Sequence, residues 1–209
     1  MSPIGGIKSF REFVAESRKG GLHVFDIDDT LFHTSAKVHV KKGYEVVASI
    51  SNSEYNTHKL EPGHHYDYSE FRSSEIFNDK SKPMYNMIAK LKAIHKNVSQ
   101  KANSKIIMNT ARADFDDKET FLNKFRKHGI NIDDIHVHRT GNDKSNDSIA
   151  EKKSKVMRQH LDTGNYRHAT LYDDSKENLH HFLGLKNEYP HIQFNAYHVQ
   201  HDGTIKKHK

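Results

Sequence analysis

Five short runs of apolar and β-favouring residues predict the strands of a sheet. Each run is five to eight residues long and is bounded by polar or turn-forming residues, which suits a strand better than a helix. The runs cover residues 22–27, 105–110, 134–138, 169–173 and 192–199.

Between these runs, apolar residues recur at the spacing of a helix face. The clearest stripe follows Pro83, a residue suited to a first helical turn, and consists of Met84, Met87, Ile88, Leu91 and Ile94. Four more helices are predicted by the stripes at 121–125, 149–161, 179–183 and, near the N-terminus, 7–14. Strands that alternate with helices predict an α/β fold with a doubly wound parallel sheet.

Residues 33–80 lack a strong helical stripe and predict an insertion after the first strand. The runs 36–40 and 44–50 flank Lys41-Lys42-Gly43, which predicts a β-hairpin. The rest of the segment is rich in Asn, Ser, His and Tyr and predicts loops, either ordered or as a disordered linker. A small ordered flap or cap is favoured by five apolar anchors, Tyr66, Tyr68, Phe71, Ile76 and Phe77.

Length and composition narrow the class of protein. The 209 residues suit a single domain, 1–209, and the net charge of +6 favours an anionic partner such as a phosphate ester, a nucleotide or a nucleic acid. The absence of Cys excludes disulfides, thiol catalysis and Cys-based metal sites, and it fits the reducing cytoplasm.

No stretch approaches the ~18–20 apolar residues of a membrane span, and the start lacks the apolar region of a signal peptide. We therefore expect a cytoplasmic protein without a membrane partner, and a frayed, solvated basic tail at 206–209.

Two of the strand runs end in acidic residues. The first carries Asp26 and continues into Asp28 and Asp29, and the fourth ends at Asp173 and continues into Asp174. Open α/β sheets place their ligand crevice at the carboxyl ends of the strands. Carboxylates about 4 Å apart repel by roughly 4 kcal/mol at an effective dielectric constant of about 20, so a converging group requires a cation. Oxygen ligands select a hard ion, Mg²⁺ before Zn²⁺. The alternative to a metal site is that Asp29 and Asp174 merely cap the helices that follow them.

In these motifs and their order, the sequence resembles the haloacid dehalogenase (HAD) superfamily of phosphohydrolases. The first motif of that family is matched by Asp26-Ile27-Asp28-Asp29-Thr30, the second by Ile106-Ile107-Met108-Asn109-Thr110 and the fourth by Leu171-Tyr172-Asp173-Asp174. Asn109 is more polar than the residue that the family usually has there. The resemblance implies a HAD-type Rossmann-like core. Response-regulator receiver domains use similar residues in a different chain order, which argues against that class.

The third motif of the family is a lysine at the start of a helix, and four lysines compete for it. The candidates are Lys144, Lys152, Lys153 and Lys155. Lys153 shares a predicted helix face with Val156 and Met157, so burial of those two residues would aim it toward the sheet. Lys153 is therefore the first choice and Lys152 the second.

The resemblance implies a role for each matched residue. Asp26 would attack phosphorus and form an aspartyl-phosphate, and Asp28 would protonate the leaving oxygen and then deprotonate water. Mg²⁺ would be held by Asp26, the Asp28 backbone carbonyl and Asp173, with Asp174 acting directly or through water. Lys153 would bond the phosphoryl oxygens.

Residues after the second motif are expected to bind substrate. Thr110 would bond a phosphoryl oxygen, and Asn109 and Arg112 are the further expected contacts to substrate. A guanidinium grips phosphate well, and its charge would help to balance the carboxylates. The alternative is that Arg112 is a surface residue paired with Asp114 or Asp116.

The 18 histidines do not suggest a separate metal site. His136 and His138 share a face of the predicted strand, whereas the adjacent pairs His64-His65 and His180-His181 point to different faces. With no third ligand at a recognisable spacing, we expect structural or solvated roles for them.

The sequence thus predicts a Mg²⁺-dependent phosphatase with a phospho-aspartate intermediate. Its substrate would be a phosphorylated nucleic-acid end or a nucleotide, because Lys41 and Lys42 would attract a polyanion beside a lightly covered site. HAD enzymes that remove 3′-phosphates from nucleic acids are similar in this respect. The alternatives are a phosphatase of small metabolites and a catalytically silent nucleic-acid-binding module with the same fold. The oligomeric state is left open.

Overall fold

The computed structural model describes residues 20–55, 57–101 and 103–209, so the helix predicted at 7–14 lies outside the described residues. The strands are β1 (Gly20–Phe25), β2 (Phe32–His33), β3 (Val38–Lys42), β4 (Glu45–Ile50), β5 (His64–Asp67), β6 (Lys82–Pro83), β7 (Lys105–Thr110), β8 (His136–Arg139), β9 (Tyr166–Asp173), β10 (Gln193–Val199) and β11 (Ile205–His208). The helices are α1 (Asn52–Tyr55), α2 (Ser69–Arg72), α3 (Ser74–Lys80), α4 (Tyr85–Val98), α5 (Lys118–Lys127), α6 (Ile149–Leu161) and α7 (Lys176–Gly184). None of the helices in these ranges is long and apolar enough to cross a membrane.

Six strands form the central sheet, in the order β11-β10-β9-β1-β7-β8. β1 lies inside the sheet and pairs in parallel with β7 and β9, and β8 and β10 extend the sheet in the same direction. β11 runs antiparallel to β10 at one edge. The predicted α/β fold is confirmed at this level, with a sheet that is mostly parallel.

Helices cover both faces of the sheet because successive side chains of a buried strand point in opposite directions. On β7, Ile106 and Met108 pack into a core cluster with residues of α4 and α5. Ile107, between them, packs into a second cluster with residues of α6 and α7. The sheet is therefore the middle of three layers, and both of its faces are closed to water.

The strands follow the predicted runs, with differences at their ends. β7 has the predicted bounds, 105–110. β1 stops at Phe25 because the chain turns at Ile27, whose carbonyl accepts backbone hydrogen bonds at 2.9 and 3.0 Å from the residues four and five positions later. β9 begins three residues before the predicted run, and β8 begins two residues after it, following a 3₁₀ turn at Ile132–Asp134.

The expectation of a frayed tail at 206–209 is wrong. Residues 206–208 belong to β11, which pairs with β10 from Val199 opposite Ile205 to Ala196 opposite His208. A strand is held by backbone hydrogen bonds that any residue can make, so the basic side chains do not prevent pairing. Lysines on an edge strand also discourage further strands from adding to the sheet.

The insertion at 33–80 contains the predicted hairpin and more regular structure than expected. β3 and β4 form the hairpin, and β5 pairs with the other side of β3, which makes a small three-stranded sheet. β2 and β6 pair with each other at the two ends of the insertion. The expectation that loops make up the rest is wrong, since α1, α2 and α3 lie there. These helices have four to seven residues, which is too short to show a helical period in the sequence.

Candidate active site

Two neighbouring parallel strands bring the acidic motifs together. Phe25 on β1 lies opposite Tyr172 on β9, and the Asp26 N–H donates to the Tyr172 carbonyl at 3.0 Å. Carboxylate oxygens of Asp26, Asp173 and Asp174 lie within 4.8 Å of one another. The register of two buried strands thus makes one cluster from residues that are far apart in the sequence.

Lys153 is the cation of this cluster. Its Nζ donates to Asp26 Oδ1 at 2.7 Å and to Asp173 Oδ2 at 2.9 Å, and its side chain is 3 % exposed. Burial alone would lower the pKa of Lys153, but the carboxylates of Asp173 and Asp26 outweigh burial and raise this pKa. Lys153 is therefore a charged group enclosed between two acids.

The other three candidate lysines lie away from the carboxylates. Lys152 Nζ donates to the Asp143 carbonyl at 2.9 Å, and Lys155 forms an ion pair with Asp147. Lys144 lines the cleft without a bond to the acidic cluster. Of the four, the structure brings only Lys153 to the motif carboxylates.

Asp173 is fully engaged by protein donors that the sequence did not single out. Besides Lys153, Asn178 Nδ2 donates to its Oδ1 and Oδ2 at 3.0 and 3.1 Å, and the Ser175 N–H donates to Oδ1 at 2.9 Å. Ser175 also caps the N-terminus of α7 through the Asn178 N–H, so the cap is not Asp174. A Ser followed three residues later by Asn, at a helix start, is a signal that could have indicated both residues.

Asp26 and Asp174 are the carboxylates left with capacity for a cation. Burial, opposed by Lys153 and reinforced by Asp173, raises the pKa of Asp26 to about 7. Burial and then the charges of Asp173 and Asp26 raise the pKa of Asp174 well above its ordinary value. No described residue donates a hydrogen bond to the Asp174 carboxylate. The donor set is all oxygen, buried and short of positive charge, which fits Mg²⁺.

Arg112 lies inside the site, bound to Asp28. Its Nε donates to Asp28 Oδ2 at 2.8 Å and its Nη2 to Oδ1 at 2.6 Å, and Nη1 donates to the Phe71 carbonyl at 2.7 Å. The guanidinium also lies over the rings of Phe71, Phe77 and Phe115 at 4.9–5.3 Å. The alternative of a surface arginine paired with Asp114 or Asp116 is wrong. A direct contact of Arg112 with substrate stays a prediction.

Asn109 and Thr110 end β7 next to this site. Thr110 is fully buried, its Oγ1 accepts from the Arg112 N–H at 3.2 Å, and its carbonyl accepts from Thr140 Oγ1 at 2.8 Å. Asn109 Nδ2 donates to the Lys153 carbonyl at 3.0 Å. Asn109 therefore holds the helix that carries Lys153 and does not line the cleft.

The insertion is attached to the first motif through Asp29. Asp29 has φ of 54°, in the left-handed region that few residues other than Gly and Asn/Asp adopt. Its Oδ2 accepts from Asn52 Nδ2 of α1 at 2.9 Å, and its Oδ1 accepts from the Thr34 N–H at 3.4 Å. The insertion forms one wall of a cleft of about 1180 Å³ that contains Asp26 and Asp28.

A scan against models of known protein families finds no match to this chain. A search of curated proteins finds no match either.

Proposed function

We propose that this protein is a Mg²⁺-dependent phosphomonoester hydrolase of the HAD type, acting through phosphorylated Asp26. The observation that carries the proposal is the convergence of Asp26, Asp173, Asp174 and Lys153 at the ends of adjacent strands. Asp28 lies two residues beyond Asp26, on the same cleft. This set of groups contains a nucleophile, a metal site, a phosphate-binding cation and an acid/base residue.

The charge of the cluster supports a divalent cation. Asp26, Asp28, Asp173 and Asp174 carry four negative charges at full ionisation, and Lys153 and Arg112 supply two positive ones. The ion would be held by the carboxylates of Asp26 and Asp174, with the Asp28 carbonyl as the further candidate. Asp173, whose oxygens already accept hydrogen bonds from Lys153, Asn178 and Ser175, would contribute its charge. When bound, Mg²⁺ would bring the sum of these charges to zero and, as a Lewis acid, would polarise the phosphoryl oxygens.

The protein groups then account for both halves of hydrolysis. A carboxylate oxygen of Asp26 attacks phosphorus, the bond from phosphorus to the ester oxygen breaks, and Asp28, which must enter this step protonated, gives its proton to that oxygen. In the second half, Asp28 takes a proton from the attacking water, phosphate leaves and the Asp26 carboxylate is restored. Lys153 donates to Asp26 and would bond the phosphoryl oxygens of the bound substrate.

Phosphate release with Mg²⁺ and with EDTA tests the proposal. The panel contains p-nitrophenyl phosphate, phosphorylated sugars, nucleotides and 3′- or 5′-phosphorylated oligonucleotides. We expect release with Mg²⁺ that EDTA abolishes and that Asp26→Asn removes, while Asp133→Asn, at an exposed ion pair with Arg126, retains it. Activity above a few per cent in Asp26→Asn would overturn the covalent mechanism.

The alternative to the phosphatase proposal is a catalytically silent protein. Such a protein would release no phosphate from any member of the panel. A complex with beryllium fluoride and Mg²⁺, detected as a rise in Tm in the wild type but not in Asp26→Asn, provides a second readout of the phospho-Asp26 state.

A further inference from the structure

The insertion contributes six ring-bearing side chains to one wall of the cleft that holds Asp26 and Asp28. The ring-bearing residues that line it are Tyr55, His58, His65, Tyr66, Tyr68 and Phe71. The opposite wall comes from the sheet and from the start of α6 and is mostly charged or polar, with Lys144, Asp147 and Lys152. The two walls thus differ in chemistry across a single cleft.

The tyrosines form one preassembled group. The Tyr55 and Tyr68 hydroxyls lie 2.8 Å apart, and the Tyr66 hydroxyl donates to the His58 carbonyl at 3.0 Å. The Tyr55 ring centroid is 4.9 Å from that of Tyr66 and 5.7 Å from that of Tyr68. Because the hydroxyls are bonded within the insertion, the rings are fixed before any ligand arrives, and little conformational entropy remains to be lost on binding.

This aromatic wall is connected to the catalytic groups through Phe71. The Phe71 ring lies 4.9 Å from the Arg112 guanidinium, and the Phe71 carbonyl accepts from Arg112 Nη1. Arg112 in turn holds Asp28. Because the Phe71 N–H donates to the Tyr68 carbonyl at 3.0 Å, the tyrosines are joined to Arg112 and Asp28 by direct contacts rather than by a free loop.

The cleft is also larger than a small phosphate ester needs. Its volume of about 1180 Å³ exceeds the roughly 300–1,000 Å³ typical of small-molecule sites. Tyr68 is 41 % exposed, which is high for an aromatic residue within an ordered cluster. A ligand with an anionic phosphate at one end and a flat ring at the other matches the two walls.

We propose that the wall of Tyr55, Tyr66 and Tyr68 seats the nucleobase of a substrate whose phosphate is hydrolysed at Asp26. This inference rests on the proposed phosphatase function and adds the substrate class to it. Stacking of a base on an aromatic side chain is tolerant of sequence, so we expect similar rates for different bases. Loss of one stacking ring lowers affinity by about 5- to 150-fold.

The first test compares nucleoside monophosphates with ribose phosphate, which has the sugar and phosphate but no base. In the wild type we expect kcat/KM to be at least tenfold higher for adenosine 3′- or 5′-monophosphate than for ribose phosphate. Tyr68→Ala should bring this ratio close to one, and Tyr68→Phe, which keeps the ring, should retain it. Tyr85→Ala, an exposed tyrosine outside the cleft, is the matched control and should leave the ratio unchanged. A wild-type ratio near one, or a ratio unaffected by Tyr68→Ala, would overturn the base seat.

A binding measurement separates this inference from the proposed function. Calorimetry with Asp26→Asn and Mg²⁺ compares the affinities of adenosine monophosphate and ribose phosphate without turnover. Preferred binding of the nucleotide, together with no hydrolysis by the wild type, would leave the base seat standing and reject the phosphatase. Hydrolysis of both compounds at equal rates, with equal affinities, would reject the base seat and leave the phosphatase proposal standing.

Oligonucleotide substrates identify the source of the base. Phosphorylated oligonucleotides with a normal or an abasic terminal residue are compared with free mononucleotides over a range of salt concentrations. If the tyrosines bind the terminal base, the normal end should be cleaved faster than the abasic end. A steep fall of log kcat/KM with log salt would assign the substrate to nucleic-acid ends, and a shallow one to free nucleotides. Equal rates for normal and abasic ends, with no preference for mononucleotides over ribose phosphate, would reject the seat.

Discussion

Arg112 holds the Asp28 carboxylate through two parallel hydrogen bonds, although the two residues are 84 positions apart in the sequence. The pair is buried, and three phenylalanine rings surround the guanidinium. A planar guanidinium fixes both oxygens of a carboxylate, so it sets the orientation of Asp28 as well as its charge. In the proposed reaction Arg112 is thus a positioning residue for the acid/base group.

Replacement of Arg112 by Lys tests this positioning role. Lys keeps the charge but cannot make two parallel bonds, so we expect kcat to fall at least tenfold and the pH profile of kcat to shift. The free energy of unfolding should fall by about 1–3 kcal/mol because buried acceptors lose partners. An unchanged kcat and pH profile in Arg112→Lys would contradict the assignment.

Lys153 should be needed for both stability and turnover, in contrast to its neighbour Lys152. Lys153→Met removes the shared partner of Asp26 and Asp173 and leaves buried carboxylates uncompensated, which costs about 3–5 kcal/mol of unfolding free energy. Lys152→Met removes a partly buried bond to a backbone carbonyl and leaves no buried carboxylate without a partner, so it should change stability less. Urea denaturation of the two variants, alongside phosphate release, checks the contrast. Similar losses in both would argue against the special role of Lys153.

Neutralising Asp174 should stabilise the metal-free protein. The folded-state pKa of Asp174 is raised, so at neutral pH its ionisation costs more in the folded chain than in the unfolded chain. Asp174→Asn removes this cost, and we expect Tm without Mg²⁺ to rise by about 2–4 °C, as for roughly 1 kcal/mol in a chain of this size. The same variant should lose most of the Tm increase that Mg²⁺ gives the wild type. A lower Tm for Asp174→Asn than for the wild type, both without Mg²⁺, would contradict the repulsion between the carboxylates.

Asp26→Asn is a less direct test of the same repulsion between carboxylates. Its carboxylate repels Asp173 but also accepts from Lys153 Nζ at 2.7 Å. The variant loses both the repulsion and the ion pair. We therefore expect a smaller change in Tm for Asp26→Asn than for Asp174→Asn, measured side by side without Mg²⁺.

A histidine pair should make stability fall in mild acid. His138 Nε2 and His160 Nε2 lie 2.9 Å apart between β8 and α6, and Lys105, Arg139 and His136 face them. Burial, followed by these positive or titratable neighbours, lowers the pKa of both residues from 6.5 to about 4. The unfolded chain therefore binds more protons than the folded chain between pH 6.5 and 4, so stability is full above that window and falls as the pH decreases through it.

The size of this effect is moderate because both rings are only partly buried. We expect the free energy of unfolding to fall by about 1–2 kcal/mol between pH 7 and pH 5. His138→Gln should reduce this fall, and His180→Gln, on the exposed face of α7, should not. Urea titrations at several pH values provide the measurement, and an equal pH dependence in His138→Gln and the wild type would reject the account.

Asp116 should fasten the insertion to the body of the protein. Its Oδ1 accepts from the Ser74 N–H at 2.9 Å and from Ser74 Oγ at 2.6 Å, at the start of α3. Asp116→Ala should therefore increase the rate of limited proteolysis within 52–78 severalfold, and Asp114→Ala, which breaks only an exposed ion pair with Arg139, should not. Equal proteolysis of the two variants would show that these bonds do not hold the insertion.

The sequence predicted the buried strands well and the marginal elements poorly. The run 105–110 matches β7 because five of its six residues are buried, so burial alone selects a strand. β11 was missed because an edge strand is held by backbone bonds and its basic side chains carry no apolar period. The short helices α1 to α3 were missed for a related reason, since two turns or fewer give no stripe to detect.

By itself, the sequence determined that acidic residues follow two buried strands, and it predicted that a cation accompanies them. Strand burial and chain order are local properties, so Asp26, Asp28, Asp173 and Asp174 could be named without a structure. The tertiary structure decided which strands are neighbours, that Lys153 rather than Lys152 reaches the carboxylates, and that Arg112 binds Asp28. These contacts join residues 84 to 127 positions apart, and such pairings are set by the packing of whole elements, which no local pattern encodes.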